Sequence, residues 1–396
     1  MIYECPSDGD IKSLNINFDK IIKIATLRNE TTEGIVDSRP FIKKLEHITK
    51  AVLRCFFSFL PFLFCIKNKD KFYAAFIMDG GIGDIIREIS ILVEIVKMFP
   101  NIVIDIYSAR KTRILFKGLK NIRFFFELDM VIITKNKYDV IYSPMLQYQN
   151  TSNCQKIVFN NNTKSEIIKI KKNLNDYRNR FFASTKKELH HIVRQKTVAG
   201  VDNAEDIYLT LNFQVMPLDK FGINKSVKYI TFNYGSGGNG CNIDSKCWDK
   251  KHWYSCLRIL SENVKDIKIV QVGVSNYKVE GIDNIIQTAS RTSFDELCTI
   301  LKGSLLHIDI DGACTHICKA IGTKAVVLYG PTSAKIVGYT ENINITSSVC
   351  RGCCHILDHK LWGKCLLEHE KSLCMDSIKP QFVAQKAIEY LKDLDG

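Results

Sequence analysis

The sequence predicts an α/β protein with two doubly wound domains in tandem, and three observations carry that prediction. Residues 72–108 read as a buried strand, a glycine turn, an apolar-periodic helix that stops at Pro100, and a second strand. A strand, a helix and a strand within so few residues form a βαβ unit, which requires a parallel sheet. The same alternation resumes after Lys225, and 396 residues are enough for two or three domains.

Further elements follow in order along the chain. Two apolar runs, MVIIT at 130–134 and YDVIYS at 138–143, predict later strands of the first domain. Residues 150–200 are polar and basic, and we expect helices and loops there that face an acceptor. In the second domain, Ser293 is a candidate helix N-cap. Its predicted strands are 228–235, 267–274, 305–311 and 325–332, and its predicted helices are 252–264, 293–304 and 315–322, followed by an amphipathic helical tail at 379–394.

The domain boundaries follow from these elements, and the transition is placed at 212–226, around Pro217 and Gly222. Ligands of open α/β sheets bind at the carboxyl ends of the strands, so the cleft between the domains is the expected site. The predicted units are an N-terminal extension (1–70), a first Rossmann-like domain (71–220), a second Rossmann-like domain that carries a Cys-rich loop at 350–374 (221–378), and a C-terminal helix (379–396).

The charge is concentrated in the first half of the chain. Residues 1–200 contain 33 Lys and Arg against 20 Asp and Glu, whereas residues 201–396 contain 22 of each, and the whole chain carries a net charge of +13. A basic half indicates an anionic partner or lysines used for solubility. No recognition motif with interleaved aromatic residues is present, so a nucleic-acid partner is not expected.

The chain is predicted to be cytoplasmic. Its 15 cysteines are an odd number in a long chain, and most lie in apolar runs, as Cys298 and Cys318 do, which favours small buried thiols in a reducing compartment. No secretory signal is recognised at the N-terminus. The segment 51–66 is apolar but short, contains Arg54 and Pro61, and lies between lysines. It is therefore either an interfacial membrane segment or an ordinary buried helix.

The first candidate for chemistry is Asp84, at the end of the motif DGGIGD (79–84). The motif matches neither the dinucleotide fingerprint nor the Walker phosphate loop. Its glycines let the backbone approach a ligand, and amides at a helix start favour an anion. Asp84 in the first turn is either a helix cap or a general base, and the spacing alone favours the cap.

The second and third candidates lie in the second domain. Lys246 follows a glycine loop that begins at Gly235 and Ser236, where a lysine can neutralise phosphate, although the pattern alone favours a solvated surface lysine. Asp309 and Asp311 lead from a strand into a helix whose amides would hold a diphosphate. The donor-loop candidates are Asp311, Gly312, Ala313, Thr315 and His316. The D-x-D spacing also suggests a divalent cation, but Asp309 lies inside an apolar run.

The fourth candidate is a group of late cysteines. Four thiolates in a loop-rich segment can hold a structural zinc or iron ion. The irregular spacing leaves reduced thiols packed in a loop as the alternative. The candidate ligands are Cys350, Cys353, Cys365 and Cys374.

In this order the motifs resemble the bacterial ADP-heptose:lipopolysaccharide heptosyltransferase family, over roughly residues 72–392. The segments that carry the resemblance are FIMDGGIGDII, MFPNIVIDIY, SKCWDKKHW, DGACTHICKAIGTKAVVLYGPT and the cysteine-bearing tail. The resemblance implies a GT-B fold of two Rossmann-like domains, and sugar transfer with inversion and without a catalytic metal or cofactor. The departures are Gly312-Ala313 in place of Thr-Gly, Cys314 before Thr315, and Lys324 in place of a proline.

The resemblance also implies roles for single residues. Asp84 matches the proposed base, Lys246 matches the lysine at the donor diphosphate, and Asp311 and His316 match donor-loop residues, with Gly83 in the same Gly-Asp turn. The implied partners are a nucleotide-sugar donor, most simply ADP-heptose, and an anionic saccharide or glycolipid acceptor of lipopolysaccharide type at the cytoplasmic face of the inner membrane. Two alternatives stay open: a protein O-heptosyltransferase that modifies serines of a surface adhesin, and a non-catalytic nucleotide-sugar-binding subunit.

Overall fold

A computed structural model describes residues 1–5, 71–78, 80–126, 138, 140–142, 190, 192, 207–235, 244–275, 277–350, 352, 365 and 372–395. The predicted strand at 130–134, the apolar segment 51–66 and most of the basic stretch 150–200 lie outside the described residues. Ser236 and Cys353 also lie outside them. None of the described helices is long and apolar enough to cross a membrane.

The first sheet has four parallel strands: β2 (Phe72–Met78), β3 (Ile102–Ser108), β4 (Ile122–Phe126) and β5 (Val140–Tyr142), in the order β4-β3-β2-β5. Helix α1 (Ile82–Met98) connects β2 to β3 and forms the predicted βαβ unit. A 3₁₀ helix (Arg110–Phe116) follows β3. Because the chain turns back beside β2 to form β5, the carboxyl end of β2 lies at a topological switch point.

The second sheet has seven parallel strands in the order β1-β11-β10-β9-β6-β7-β8. Apart from the added β1, this is the Rossmann order, and its switch point lies between β6 and β9. The strands are β1 (Ile2–Cys5), β6 (Tyr229–Asn233), β7 (Lys268–Val272), β8 (Ile285–Gln287), β9 (His307–Ile310), β10 (Ala325–Tyr329) and β11 (Ile343–Ser347).

The helices of the second domain begin and end where the sequence chemistry indicates. The Ser293 hydroxyl accepts a hydrogen bond from the Glu296 amide at 3.3 Å and caps its helix, as predicted. Gly322 ends another helix with φ +80°, a left-handed conformation that favours glycine. The helices are α2 (Lys250–Asn263), α3 (Phe294–Gly303), α4 (Ala313–Ile321), α5 (Ala334–Val337), α6 (Leu373–Asp376) and α7 (Pro380–Asp395), with 3₁₀ turns at Asp219–Phe221 and Asp244–Lys246.

The two ends of the chain both belong to the second sheet. Strand β1 pairs in parallel with β11, with Ile2 opposite Asn344. Helix α7, the predicted amphipathic tail, packs against α2. Residues 2–5 fall within the segment that the sequence analysis treats as an N-terminal extension, and here they form an edge strand of the second domain.

The two domains are in contact through helices α1 and α4, whose N-terminal turns pack against each other. Gly83 in α1 lies directly against His316 in α4. A Cβ atom at position 83 would lie 2.5 Å from His316 Cδ2 and 3.2 Å from Ala313 Cα. A side chain at this position therefore cannot be accommodated without moving one helix away from the other.

Gly83→Ala is expected to lower the free energy of unfolding by about 1–3 kcal/mol, because overpacking forces the helices apart. Gly81→Ala is the matched control, since a Cβ there would meet nothing closer than Asp84 Oδ2 at 3.4 Å. Chemical denaturation of both variants checks the prediction. Equal stability of the two variants would contradict a tight contact at Gly83.

Candidate active site

Asp84 lies in the first turn of α1, beyond the carboxyl end of β2. Its Oδ2 accepts a hydrogen bond from the Gly81 amide at 3.0 Å, and its Oδ1 forms an ion pair with Arg87 one turn later in the helix. The Asp84 side chain is 32% exposed, so its carboxylate reaches solvent. The capping contact expected from the spacing is present, and it leaves the carboxylate accessible to a ligand.

Arg87 is a cation that the sequence analysis did not identify. Its side chain is only 7% exposed. Burial lowers the pKa of Arg87, but the nearby charges of Asp84 and Asp311, with Tyr339 and Glu88, raise it by more. Arg87 is therefore charged, and it links a carboxylate of the first domain with one of the second. The three-residue spacing from Asp84 on a helix is the one sequence signal for this pairing.

Lys246 and Asp311 form a buried ion pair at the carboxyl ends of β6 and β9. Lys246 Nζ lies 2.8 Å from Asp311 Oδ2, and the two side chains are 10% and 8% exposed. Burial raises the pKa of Asp311, but Lys246 and His316 lower it by a larger amount. The pKa of Asp311 is therefore well below its usual range. Asp311 is therefore charged, and Lys246 is its buried partner rather than a solvated surface lysine.

The first turn of α4 faces this ion pair. Gly312 is the N-cap residue and is half-buried, as is Ala313. The fully buried Thr315 hydroxyl donates to the Ile310 carbonyl at 3.2 Å, and His316 Nδ1 lies 2.6 Å from the Tyr339 hydroxyl. These two side chains are therefore used within the protein, and the accessible groups of this turn are those at Gly312 and Ala313.

The charged groups of this region form one electrostatic cluster across the two domains. Burial, and then the positive charge of Arg87, lower the pKa of His316 to about 3, while Asp311 and Asp84 oppose this shift. His316 is therefore neutral at pH 7. The cluster comprises Asp84, Arg87, Lys246 and Asp311 together with the neutral imidazole of His316, so the structure brings together the predicted base, the predicted lysine and the predicted donor-loop aspartate.

Gly235 ends strand β6 with φ +90°, a conformation that glycine adopts without strain. A Cβ built on it would meet no other atom within 4 Å, and the described chain stops there before the rest of the glycine loop. Asn233, which the sequence analysis did not select, donates from Nδ2 to the Gly235 carbonyl at 3.2 Å and to Asp309 Oδ1 at 3.0 Å. It connects the start of the loop to strand β9.

The structure places two of the four candidate cysteine ligands side by side. Cys350 follows β11 and Cys374 lies in α6, and a hydrogen bond from the Cys374 thiol lowers the pKa of Cys350. Cys365 is half-buried. Gly330 packs against this pair, since a Cβ there would lie 2.9 Å from Cys374 Sγ. The predicted cysteine group is therefore partly assembled beside the end of β10.

Comparison with known proteins places this arrangement in a family. The family profile described as "Glycosyltransferase family 9 (heptosyltransferase)" matches residues 154–361, which is more than half of the chain. The chain belongs to glycosyltransferase family 9. The family supports transferase activity, and the resemblance recognised in the sequence is confirmed. No curated protein sequence matches the chain significantly.

Solved structures of the family show the same fold. A family 9 glycosyltransferase from Veillonella parvula DSM 2008 superposes with a TM-score of 0.56 at 15% identity, over 82% of this chain and 98% of the other. The iron-containing dodecameric glycosyltransferase TibC from enterotoxigenic E. coli H10407 gives 0.60 at 13% identity, over 83% and 81%. The E. coli ADP-heptose heptosyltransferase II gives 0.53 at 13% identity, over 82% and 100%. The predicted GT-B architecture is confirmed.

Proposed function

We propose that this family 9 protein is an inverting transferase that moves a sugar from a nucleoside diphosphate sugar to an acceptor hydroxyl. The observation that carries the proposal is the cluster in which the accessible carboxylate of Asp84 and its partner Arg87 interact electrostatically with Asp311 and His316 at the start of α4 in the second domain. A sugar hydroxyl is a poor nucleophile, and a positioned carboxylate can take its proton as the new bond forms. The cluster thus combines a base with groups that favour a departing anion.

In this proposal Lys246 and the amides around Gly312 and Ala313 stabilise the departing diphosphate. Negative charge builds on that leaving group, and preorganised cations and amides in a buried site stabilise it strongly. Lys246 pairs with Asp311 in the structure, so a donor diphosphate would share or displace that contact. Arg87 adds a second buried cation nearby, which supports catalysis without a metal at the reacting centre.

ADP-heptose is the donor that we propose, and a lipopolysaccharide-type glycolipid is the proposed acceptor. Two of the similar structures support the donor, because one is an ADP-heptose heptosyltransferase and another is TibC in complex with ADP-D-beta-D-heptose. The excess of basic residues in the first half of the chain fits an anionic acceptor. The proposed location is the cytoplasm, at the inner-membrane face where such acceptors are assembled.

One specific observation favours a second candidate, protein O-heptosylation of serines. The Cys350 and Cys374 thiols are in contact, and the similar protein TibC is described as containing iron. We propose that these cysteines, with Cys353 and Cys365, hold a structural zinc or iron ion. Native mass measurement together with iron analysis separates the candidates, since bound iron in a large oligomer favours the protein modifier.

The proposal is tested first by nucleotide binding. A ligand that binds only the folded chain raises its stability, by about 2.7 kcal/mol at one hundred times the dissociation constant. We expect ADP to raise the melting temperature selectively when ADP, UDP, GDP and CMP are compared. Stabilisation by another nucleotide would replace the proposed sugar donor, and no shift with any of them would contradict the donor site and favour a non-catalytic role.

A further inference from the structure

A second set of metal-ligating side chains lies beneath the start of α4, away from the cysteine group. His307 and Asp309 are alternate residues of β9, so they point to the same face of the sheet, and Cys314 lies in the first turn of α4. One ligand atom from each of the three lies within 4.8 Å of the other two. His307 and Asp309 are completely buried, and Cys314 is 5% exposed.

The distance between the histidine and carboxylate ligand atoms fits a tetrahedral ion of the zinc type. His307 Nε2 and Asp309 Oδ2 are 3.3 Å apart, which is long for a hydrogen bond between an imidazole and a carboxylate. Two ligands of a tetrahedral zinc ion, each about 2.0–2.1 Å from the metal, are separated by roughly 3.3 Å. The Cys314 thiol forms no hydrogen bond within the described part of the chain.

The surrounding contacts hold the ligand atoms in the orientation that metal binding requires. His307 Nδ1 lies 2.9 Å from the Thr231 hydroxyl, which leaves Nε2 facing Asp309. Asp309 Oδ1 accepts from Asn233 Nδ2 at 3.0 Å and from the Ile310 amide at 2.8 Å, which leaves Oδ2 for a metal. Ligating histidines and carboxylates usually have such outer partners on their second nitrogen or oxygen.

The charge of the cluster also favours a cation. Among the described residues the ion-pair partner of Asp309 is the imidazole of His307, and no lysine or arginine pairs with it. A buried carboxylate is costly unless it is paired or coordinates a metal, and a cation held between His307 and Asp309 would supply the positive charge. Imidazole, thiolate and carboxylate together form a ligand set that suits zinc better than magnesium or calcium.

We propose that His307, Asp309 and Cys314 bind a divalent transition-metal ion of the zinc type. The ion would tie the end of β9 to the first turn of α4, beneath the loop at Gly312. A Cβ built on Gly312 would lie 3.7 Å from Asp309 Oδ2, so the ligands are adjacent to that turn. The site does not touch the proposed reacting groups, so its role is to fix the backbone of the turn.

The site is tested by metal content and by cobalt spectra of the purified full chain. The Cys350→Ser chain is used throughout, because it removes a member of the other cysteine group. We expect about one equivalent of zinc per chain, and a near-ultraviolet thiolate-to-cobalt band when Co²⁺ replaces it. Asp309→Asn and Cys314→Ser in this background should each lose the zinc, and Cys314→Ser should lose the band.

Cys256→Ser is the matched control, since Cys256 is a completely buried cysteine in α2 outside the cluster, and it should retain both metal and band. Zinc retained by both Asp309→Asn and Cys314→Ser would overturn the proposal. A Cys350→Ser chain that binds neither zinc nor cobalt would overturn it as well. Should Cys314→Ser fail to fold, the Asp309→Asn chain decides: loss of zinc there supports the site, and zinc retained at the level of the Cys350→Ser chain overturns the proposal.

Discussion

Asp84→Asn is expected to lower the rate of sugar transfer by about 10²–10⁴-fold, the contribution of a positioned general base. The amide has nearly the shape of the carboxylate, but it cannot accept the acceptor proton. Nucleotide affinity should change little, because the donor groups that we propose lie in the second domain. Single-turnover rates with donor and acceptor, measured beside an ADP titration, check both parts of this expectation.

The matched control is Glu94→Gln, on the same helix. Glu94 is paired with Lys97 near the end of α1, its side chain is 24% exposed, and it lies far along the helix from the first turn. It should leave both rate and affinity unchanged. Transfer by Asp84→Asn at the rate of the unmodified chain would remove Asp84 as the base. An equal fall in the Glu94→Gln chain would indicate that the loss comes from general damage to α1.

Lys246→Met is expected to have the largest effect on stability. It leaves the buried Asp311 carboxylate without its 2.8 Å partner. Removing one partner of a buried ion pair costs about 3–5 kcal/mol, because the remaining charge stays away from water. The free energy of unfolding from chemical denaturation measures this loss, and an ADP titration at a temperature where the variant is folded measures the loss of donor affinity.

The double variant Lys246→Met/Asp311→Asn separates the two consequences. With both charges removed, no buried charge is left unpaired, so much of the stability should return. Donor affinity should not return, because the cation proposed to face the diphosphate is still absent. Recovery of both properties in the double variant would show that Lys246 acts only as the partner of Asp311, and would contradict its proposed contact with the donor.

The elements that periodicity predicts correctly are those whose own sequence determines which side is buried. Helix α1 follows a glycine motif and has an apolar repeat, and it is found at Ile82–Met98. The Ser293 cap and the tail helix are also confirmed. Cys298 and Cys318, interpreted as small buried hydrophobic residues, are completely buried. In each case the neighbouring residues alone determine which side of the element is covered.

The strands that the sequence analysis missed have no comparable local signal. Strand β11 alternates isoleucine with Asn344 and Thr346, and both polar residues are buried. The Asn344 side-chain nitrogen donates to the Tyr339 carbonyl at 2.8 Å and to the Met1 carbonyl at 3.3 Å, contacts that exist only in the folded chain. Strand β1 is four residues long and pairs with a segment some three hundred residues later in the chain. Such pairing depends on the completed sheet rather than on the sequence of the strand.

The candidate site likewise contains some residues whose positions the sequence predicts and others whose positions it does not. The positions of Asp84, Lys246 and Asp311 could be predicted because each follows a strand of a parallel sheet, where ligands bind. The burial of Arg87 could not, since it arises from the packing of one domain against the other. The internal hydrogen bonds of Thr315 with Ile310 and of His316 with Tyr339 could not be predicted either, and the role of these two residues at the donor stays a prediction.

The contact between Gly83 and His316 constrains how the two domains can move. Backbone meets side chain there without an intervening Cβ, so sliding of one sheet along the other is sterically blocked at this point. A rotation centred on this contact would leave Gly83 and His316 together, and the displacement would grow with distance from that axis. Asp84 is the residue after Gly83, so it would move little in such a rotation, whereas the outer edges of the sheets would move furthest.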